Sequence, residues 1–389
     1  MKHGMTTAMG DISNQRQTPV PNYICTTCGT QFAETGRPPD RCPICDDERQ
    51  YVGPGGQRWT TLDELLRSHR TSIKLEEPGL TGIGMEPSFA IGQRALLVQR
   101  PGGNVLWGCI PLIDDAVVAA VRALGGISAI AISHPHFYSS MVEWSRAFGN
   151  AQVHLHAADR QWVMRPDPVI SFWEGNVKDL GDGLTLIRYG GHFDGGTVLH
   201  WRDGAGGRGA LLSGDIIQVV PDRRFVSFMY SYPNLIPLPA SVVRQILGRV
   251  EPFEFDRIYG AWSDRMVERD AKAAVARSAE WYVRAIGKRR RPASRSAWIT
   301  SSKTRPRPPP SRKGGGFSIG SGPCSFCRSW LACCWCSTST GKIGESNGRL
   351  FRTTTTINTV RPSTVSSETW RQAVWITHTT QPRLASRSR

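Results

Sequence analysis

Ser133-His134-Pro135-His136-Phe137-Tyr138-Ser139 follows directly on the short apolar run Ile127 to Ile132. A run of that length suits a buried strand. The stretch therefore places two imidazoles just past a strand end. Residues two apart share a face, so His134 and His136 can both turn toward one ion.

The same arrangement recurs downstream. Leu184 to Arg188 reads as a strand and runs into Gly190-Gly191-His192-Phe193-Asp194-Gly195-Gly196. The glycine pairs there let backbone approach a bound ion or substrate. Thr197 to Trp201 and Ala210 to Leu212 read as strands, the second ending in Ser213-Gly214-Asp215. Three strands thus end in metal-type ligands, and strand ends lie side by side at one edge of a sheet.

The flanking chain mixes strands with helices. Phe89 to Ile91, Ala95 to Gln99 and Asn104 to Trp107 suit a meander of short strands. Helices are expected over Asp115 to Leu124, Met141 to Phe148, Ala158 to Met164 and Ala240 to Val250, with a long amphipathic one over Asp264 to Ile286. Gln152 to Leu155 and Arg257 to Tyr259 read as further strands.

A second ligand set lies upstream, in Cys25-Thr26-Thr27-Cys28-Gly29 and Cys42-Pro43-Ile44-Cys45. Each CxxC is a tight turn that aims two thiolates at one point, and two such turns make a tetrahedral sulfur cage. Gly29 permits the backbone after the second ligand and Pro43 stiffens the second turn. Paired spacing and the lack of an export signal favour metal over a disulfide framework. Zinc would make the segment a structural clip, because it is too short to fold on its own core. Iron would make it an electron carrier. Val52 to Gly56 is a turn, and Thr61-Leu62-Asp63-Glu64 a capping box opening a helix to about His69.

Composition sorts the rest. The chain has 389 residues and a formal charge of +16, which invites a nucleic-acid reading. Residues 288–389 carry 19 Lys and Arg against two acids, which leaves 29 basic and 30 acidic residues for the remainder. The body is near neutral, so its substrate is not inferred from the charge, and nucleic acid is not expected to bind it. The tail has 31 Ser and Thr and only 14 Leu, Ile, Val and Phe, too few to pack a core. It is expected to be disordered, or the product of a frameshift; the functional alternative is a basic arm that grips phosphates. Its cysteines, Cys324 to Cys336, read as loose thiols. No run of about 18 apolar residues appears, which argues against a membrane span. Met1 to Thr18 lacks the apolar core of a signal peptide, so a cytoplasmic protein is the expectation.

On the motifs His134-Pro135-His136, Gly191-His192-Phe193-Asp194-Gly195 and Ser213-Gly214-Asp215, residues 80–287 resemble the metallo-β-lactamase fold hydrolases, which include glyoxalase II-like thioesterases. Tyr23 to Tyr51 resembles the small rubredoxin-like domains of rubrerythrins, and zinc ribbons generally. The resemblance implies an αββα sandwich with a metal site at the edge between two sheets. The expected organisation is a flexible stretch over 1–20, a four-cysteine module over 21–52, a linker and helix over 53–79, the sandwich over 80–287, and the tail.

The chain departs from that family where its motif runs His-x-His-x-Asp-His, since Tyr138 and Ser139 stand in the last two places. The final family histidine is also missing, because the stretch after Arg257 to Tyr259 reads Gly260-Ala261-Trp262. Carried over position by position, the resemblance leaves His134, His136 and His192 as ligands of one Zn²⁺, with Asp215 as fourth ligand or water-orienting base. It implies a zinc-bound hydroxide attacking a small ester, thioester or amide. Tyr138 is a candidate oxyanion donor and Asp194 a candidate acid or base, or else a turn residue. The alternatives are a degraded or non-catalytic metal-binding protein, an iron-based redox protein and a nuclease of the same fold. His69, His154, His156 and His200 read as structural, and Cys109 as a small buried hydrophobe. Phe225 to Leu238 is an aromatic loop that either lines the pocket or packs the core. The expected partner is a small-molecule substrate; the oligomeric state is open.

Overall fold

A computed structural model describes residues 20–287. Residues 1–19 and 288–389, and with them the expectations of a flexible N-terminus and a disordered or frameshifted tail, lie outside the described residues.

Two sheets carry the larger part. The first has seven strands in the order Ile170–Trp173, Gln152–His156, Ala129–Ala131, Val105–Trp107, Ala95–Val98, Leu80–Glu86, Arg70–Glu77. Its first four strands run parallel and the rest antiparallel. The second has six strands in the order Val177–Gly181, Leu184–Arg188, Thr197–Trp201, Ala210–Gly214, Arg257–Gly260, Met266–Val267.

The sheets pack face to face. Leu96, Val98 and Trp107 of the first meet Leu184, Leu199 and Leu212 of the second in one buried layer. Helices cover both outer faces. Asp115–Ala123 and Met141–Ala147 lie on the first sheet, and Ala240–Val250 and Ala271–Gly287 on the second. Each fully buried aliphatic side chain stabilises this arrangement by about 1.5–3 kcal/mol. The architecture is the αββα sandwich expected from the sequence.

Several elements differ from the sequence reading. The hairpin Arg70–Glu77 and Leu80–Glu86 extends the first sheet, although the stretch before residue 80 reads as linker. Phe89 to Ile91 forms no strand. The long helix starts at Ala271, not Asp264, because Met266 and Val267 pair with Tyr259 and Ile258. Ala157–Trp162 is a 3-10 turn. Ile170–Trp173 and Val177–Gly181 are strands that periodicity alone did not reveal. For the hairpin, the shortened helix and the two added strands, sheet pairing across the fold decides a segment whose local pattern is weak.

The cysteine segment folds as a small antiparallel sheet, Gln31–Glu34, Asn22–Cys25 and Trp59–Thr60. Its apolar centre is little more than the four cysteines, Ile44 and Phe32, with Trp59, Trp162 and Met164 packed around them. The module is stitched to the sandwich by Gln31 N–H donating to Ser139 O at 3.1 Å and Ala33 N–H to Met164 O at 3.1 Å. Gly29 sits at φ +81°, and a Cβ there would stand 2.7 Å from Pro111 Cγ. The turn after Cys28 therefore requires glycine for both backbone and space. Thr61 caps the helix Leu62–Ser68 through the expected reciprocal bonds with Glu64.

Candidate metal centre and the four-cysteine site

His134 and His136 follow the central strand Ala129–Ala131 of the first sheet, His136 on the turn Pro135–Phe137. His192 lies between two strands of the second sheet, and Asp215 directly after Ala210–Gly214. Each of the four offers a ligand atom within 4.8 Å of the others, and all four residues are buried. They meet at the edge where the central strands of both sheets end.

The hydrogen bonds set the ring orientations. The Ser133 hydroxyl donates to Thr197 O at 2.8 Å, so its oxygen accepts the Nδ1 proton of His134 at 3.1 Å. His134 Nε2 is then a bare lone pair, 3.1 Å from Asp215 Oδ1. Neither atom has a hydrogen-bond partner despite its burial. His192 Nδ1–H donates to Tyr230 O at 2.7 Å, which leaves its Nε2 bare and 3.2 Å from His136 Nδ1.

A cation resolves this crowd of acceptors. Nitrogen and oxygen ligands at about 2.0–2.1 Å from one ion stand roughly 3.3 Å apart in a tetrahedron. The spacings of 3.1 and 3.2 Å match, so the donor set fits a metal ion of that coordination. Burial holds all three imidazoles neutral, with His192 lowered to about 4. The same burial pushes Asp215 up to about 7, and a cation beside it would bring it down again.

The cysteine site passes the same test. Cys25 Sγ lies 3.6 Å from Cys45 Sγ, and Cys28 Sγ 3.7 Å from Cys42 Sγ. Thiolates at about 2.3 Å from a shared ion stand roughly 3.8 Å apart. All four cysteines are free and buried. Hydrogen bonds from the other three thiols pull Cys25 far below the usual thiol range, and Gln57 Nε2 donates to its sulfur at 3.1 Å. Among the described residues no further group of three or more His, Cys, Asp or Glu converges in this way.

The remaining candidates fall elsewhere. Tyr138 is buried in the helix-side core beside Phe137, Met141 and Val142. Ser139 docks the cysteine module by accepting Gln31 N–H on its carbonyl, while its hydroxyl accepts the Gln93 amide of the sandwich at 2.9 Å. Tyr138 and Ser139 are thus given over to packing and docking. Asp194 is exposed, and only its carbonyl is engaged, by Arg188 Nε at 2.7 Å. That is the turn-residue reading.

His156 bonds Gly175 O at 3.0 Å and His200 bonds Glu254 O at 2.8 Å, both structural contacts. His154 is buried on the same strand as His156 and outside both clusters. Cys109 is wholly buried and its thiol is pushed up by desolvation. The aromatic loop packs the core and also touches the histidine cluster. Phe228 packs the core, while Tyr232 lies 5.7 Å from the His192 ring and its hydroxyl donates to Asp215 O at 2.7 Å.

Two contributors escaped the sequence reading. Asp159 is buried and accepts Gly195 N–H at 2.8 Å, and desolvation raises its carboxyl to about 7. A Cβ on Gly195 would stand 2.6 Å from that carboxylate, so the glycine there admits Asp159 rather than an ion or substrate. Arg49, from the cysteine module, lies over Phe193 with its guanidinium carbon 3.9 Å from the ring centroid. Neither stands in a recognisable motif. No helix of the described residues is long and apolar enough to cross a membrane.

Over 269 residues the chain is 51% identical to the "Uncharacterized protein YmaE" of Bacillus subtilis (strain 168), a match spanning 69% of this chain and 97% of that protein. Similar solved structures include DIM-1 metallo-β-lactamase, at TM-score 0.43 and 13% identity over 56% of this chain and 98% of that one. Another is MEM-A1, a subclass B3 metallo-β-lactamase isolated from a soil metagenome library, at TM-score 0.37 and 17% identity over 54% and 94%. No family model matches the chain.

Proposed function

The chain belongs to the family of the Bacillus subtilis protein YmaE, and we propose that it is a metal-dependent hydrolase centred on His134, His136, His192 and Asp215. The observation that carries the reading is the convergence of those four buried side chains, with bare ligand atoms 3.1 and 3.2 Å apart. The substrate class is a small ester, thioester or amide, and the resident ion is zinc, held through His134 Nε2, His136 Nδ1 and His192 Nε2. Zinc when bound polarises a carbonyl and brings water to a pKa of about 7.

The protein's own residues do the rest. Ser133 and the Tyr230 carbonyl fix two of the three tautomers, which leaves the ligand nitrogens free of protons. Asp215 is placed beside His134 to accept or orient a proton at Oδ1, and the Tyr232 hydroxyl anchors its main chain. Phe193 packs against all three imidazoles, and Trp162 packs edge-on against Phe193. The four cysteines hold a second ion in a rubredoxin-like or zinc-ribbon module. Zinc and iron take the same sulfur cage, and only iron would colour the protein and support a redox role.

A second reading is a non-catalytic metal-binding protein. The burial of all four ligands, beneath a module that leans over His192, favours it. Activity of the zinc-loaded full chain against a panel of small esters and thioesters tests the choice. Turnover that disappears in His136→Ala supports the hydrolase. Two bound zinc ions with no turnover on the panel support the binding protein.

A further inference from the structure

We infer that the four-cysteine module is a positioning device for the histidine site, holding His192 from both sides through Arg49 and Glu48. The inference rests on the metal-centre reading above and assigns the module a role in that site.

The contacts start next to the cysteine cluster. The Cys42 carbonyl accepts the N–H groups of Cys45 and Asp46, each at 3.0 Å. The chain then turns over Asp47 to Gln50, closed by Gln50 N–H donating to Asp47 O at 2.9 Å. Asp47 grips Arg49 at both oxygens, Nε at 2.5 Å and Nη2 at 2.8 Å. That fork fixes the guanidinium plane. Arg49 Nη1 donates to the main-chain oxygen of His192 at 3.4 Å, and the same group lies against Phe193, the next residue.

Glu48 holds the other side of His192. Its carboxylate accepts the Tyr230 hydroxyl at 2.6 Å, and it is the Tyr230 carbonyl that takes the His192 Nδ1 proton. Asn234 ties the same loop down, donating from Nδ2 to Glu48 O at 2.8 Å and Gln50 O at 3.2 Å. Both the backbone of His192 and the partner of its ring are thereby held by residues two to five positions past Cys45.

The module has strands of four, four and two residues and almost no apolar core beyond its cysteines. An ion in the sulfur cage is what gives such a segment a fixed shape. Filling the cysteine site therefore orders Asp47 to Gln50, and that loop presents His192 in ligating geometry. Partners of ligating histidines typically contribute about 10–100-fold to metal affinity. Coupling of this kind is reciprocal, so each ion favours the other.

The test uses the full chain with zinc, metal content by mass spectrometry and affinity by competition with a chromophoric chelator. Arg49→Ala is expected to keep the cysteine-held ion and to bind the histidine-held ion about 10–100-fold more weakly. Arg49→Lys recovers part of the loss. Tyr230→Phe, which removes only the hydroxyl bond to Glu48, gives a smaller loss in the same direction. Cys42→Ser weakens the histidine site as well as emptying the cysteine site. Wild-type affinity at the histidines in both Arg49→Ala and Tyr230→Phe overturns the inference and leaves the proposed function standing. So does a lowered melting point of the metal-free chain without a change in affinity. If Arg49→Ala fails to fold, an unchanged affinity in Tyr230→Phe is enough to overturn it. A wild-type chain that holds no ion at the histidines overturns both.

Discussion

Ser133 and Thr197 are joined by two hydrogen bonds, Thr197 N–H to Ser133 O at 2.9 Å and the Ser133 hydroxyl to Thr197 O at 2.8 Å. One residue follows a strand of the first sheet and the other opens a strand of the second. The pair pins the two sheets together one residue before His134. It also sets that ring, because the donating hydroxyl has only its lone pairs left for His134 Nδ1.

Ser133→Ala removes the hydroxyl and leaves a buried carbonyl and a buried ring nitrogen without their partner. A stability loss of about 1–3 kcal/mol is expected. Zinc affinity at the histidine site should fall by about tenfold or more. Urea unfolding and chelator competition measure the two effects. Affinity equal to wild type would show that the tautomer of His134 is set some other way.

Removing a histidine ligand predicts the loss of one ion of two. Wild type should carry two ions per chain. His136→Ala should keep the cysteine-held ion and lose the other, and its residual turnover should be at background. An unchanged metal content in His136→Ala would remove the imidazole site from the protein's chemistry.

Asp159 predicts a pH effect with a definite sign. Its carboxyl is raised from 3.8 to about 7, chiefly by burial, so the folded chain holds a proton that the unfolded chain gives up. Its contribution to stability is present below about pH 4 and is lost as pH rises to about 7. Asp159→Asn keeps an acceptor for Gly195 N–H and removes the ionisation. The variant should lose less stability than wild type across that window. The gain above pH 7 is on the order of 4 kcal/mol at the limit. Urea midpoints measured at several pH values check this. Parallel curves for the two proteins would place the charge of Asp159 in contact with solvent.

Gly29→Ala tests the turn of the cysteine module. The added methyl meets Pro111 and the backbone remains at φ +81°. A loss of about 1–3 kcal/mol is expected. Retention of the cysteine-held ion should weaken with it, since Gly29 follows Cys28 directly. A melting curve with and without chelator separates the two effects.

Much of this protein is written locally. Cys25, Cys28, Cys42 and Cys45 are legible because each CxxC turn is short-range chemistry. His134, His136, His192 and Asp215 are legible because each follows an apolar strand, and strand ends gather at a sheet edge. The cap at Thr61 and the helix Ala240–Val250 follow from side chains within a few residues of one another. The hairpin Arg70–Glu77 with Leu80–Glu86 was not legible, since its strength comes from pairing across the sheet.

Sequence by itself determined which side chains can hold ions and in what order they occur, because ligand spacing is a property of neighbouring residues. Only the tertiary structure decided what surrounds those ligands. Arg49 reaches the carbonyl of His192 across 143 positions, and Glu48 reaches Tyr230 across 182. Tyr138 turns into the core, and Ser139 bonds the cysteine module. Such contacts arise when separately formed units bury their surfaces against each other. No local period or spacing records which surfaces those will be.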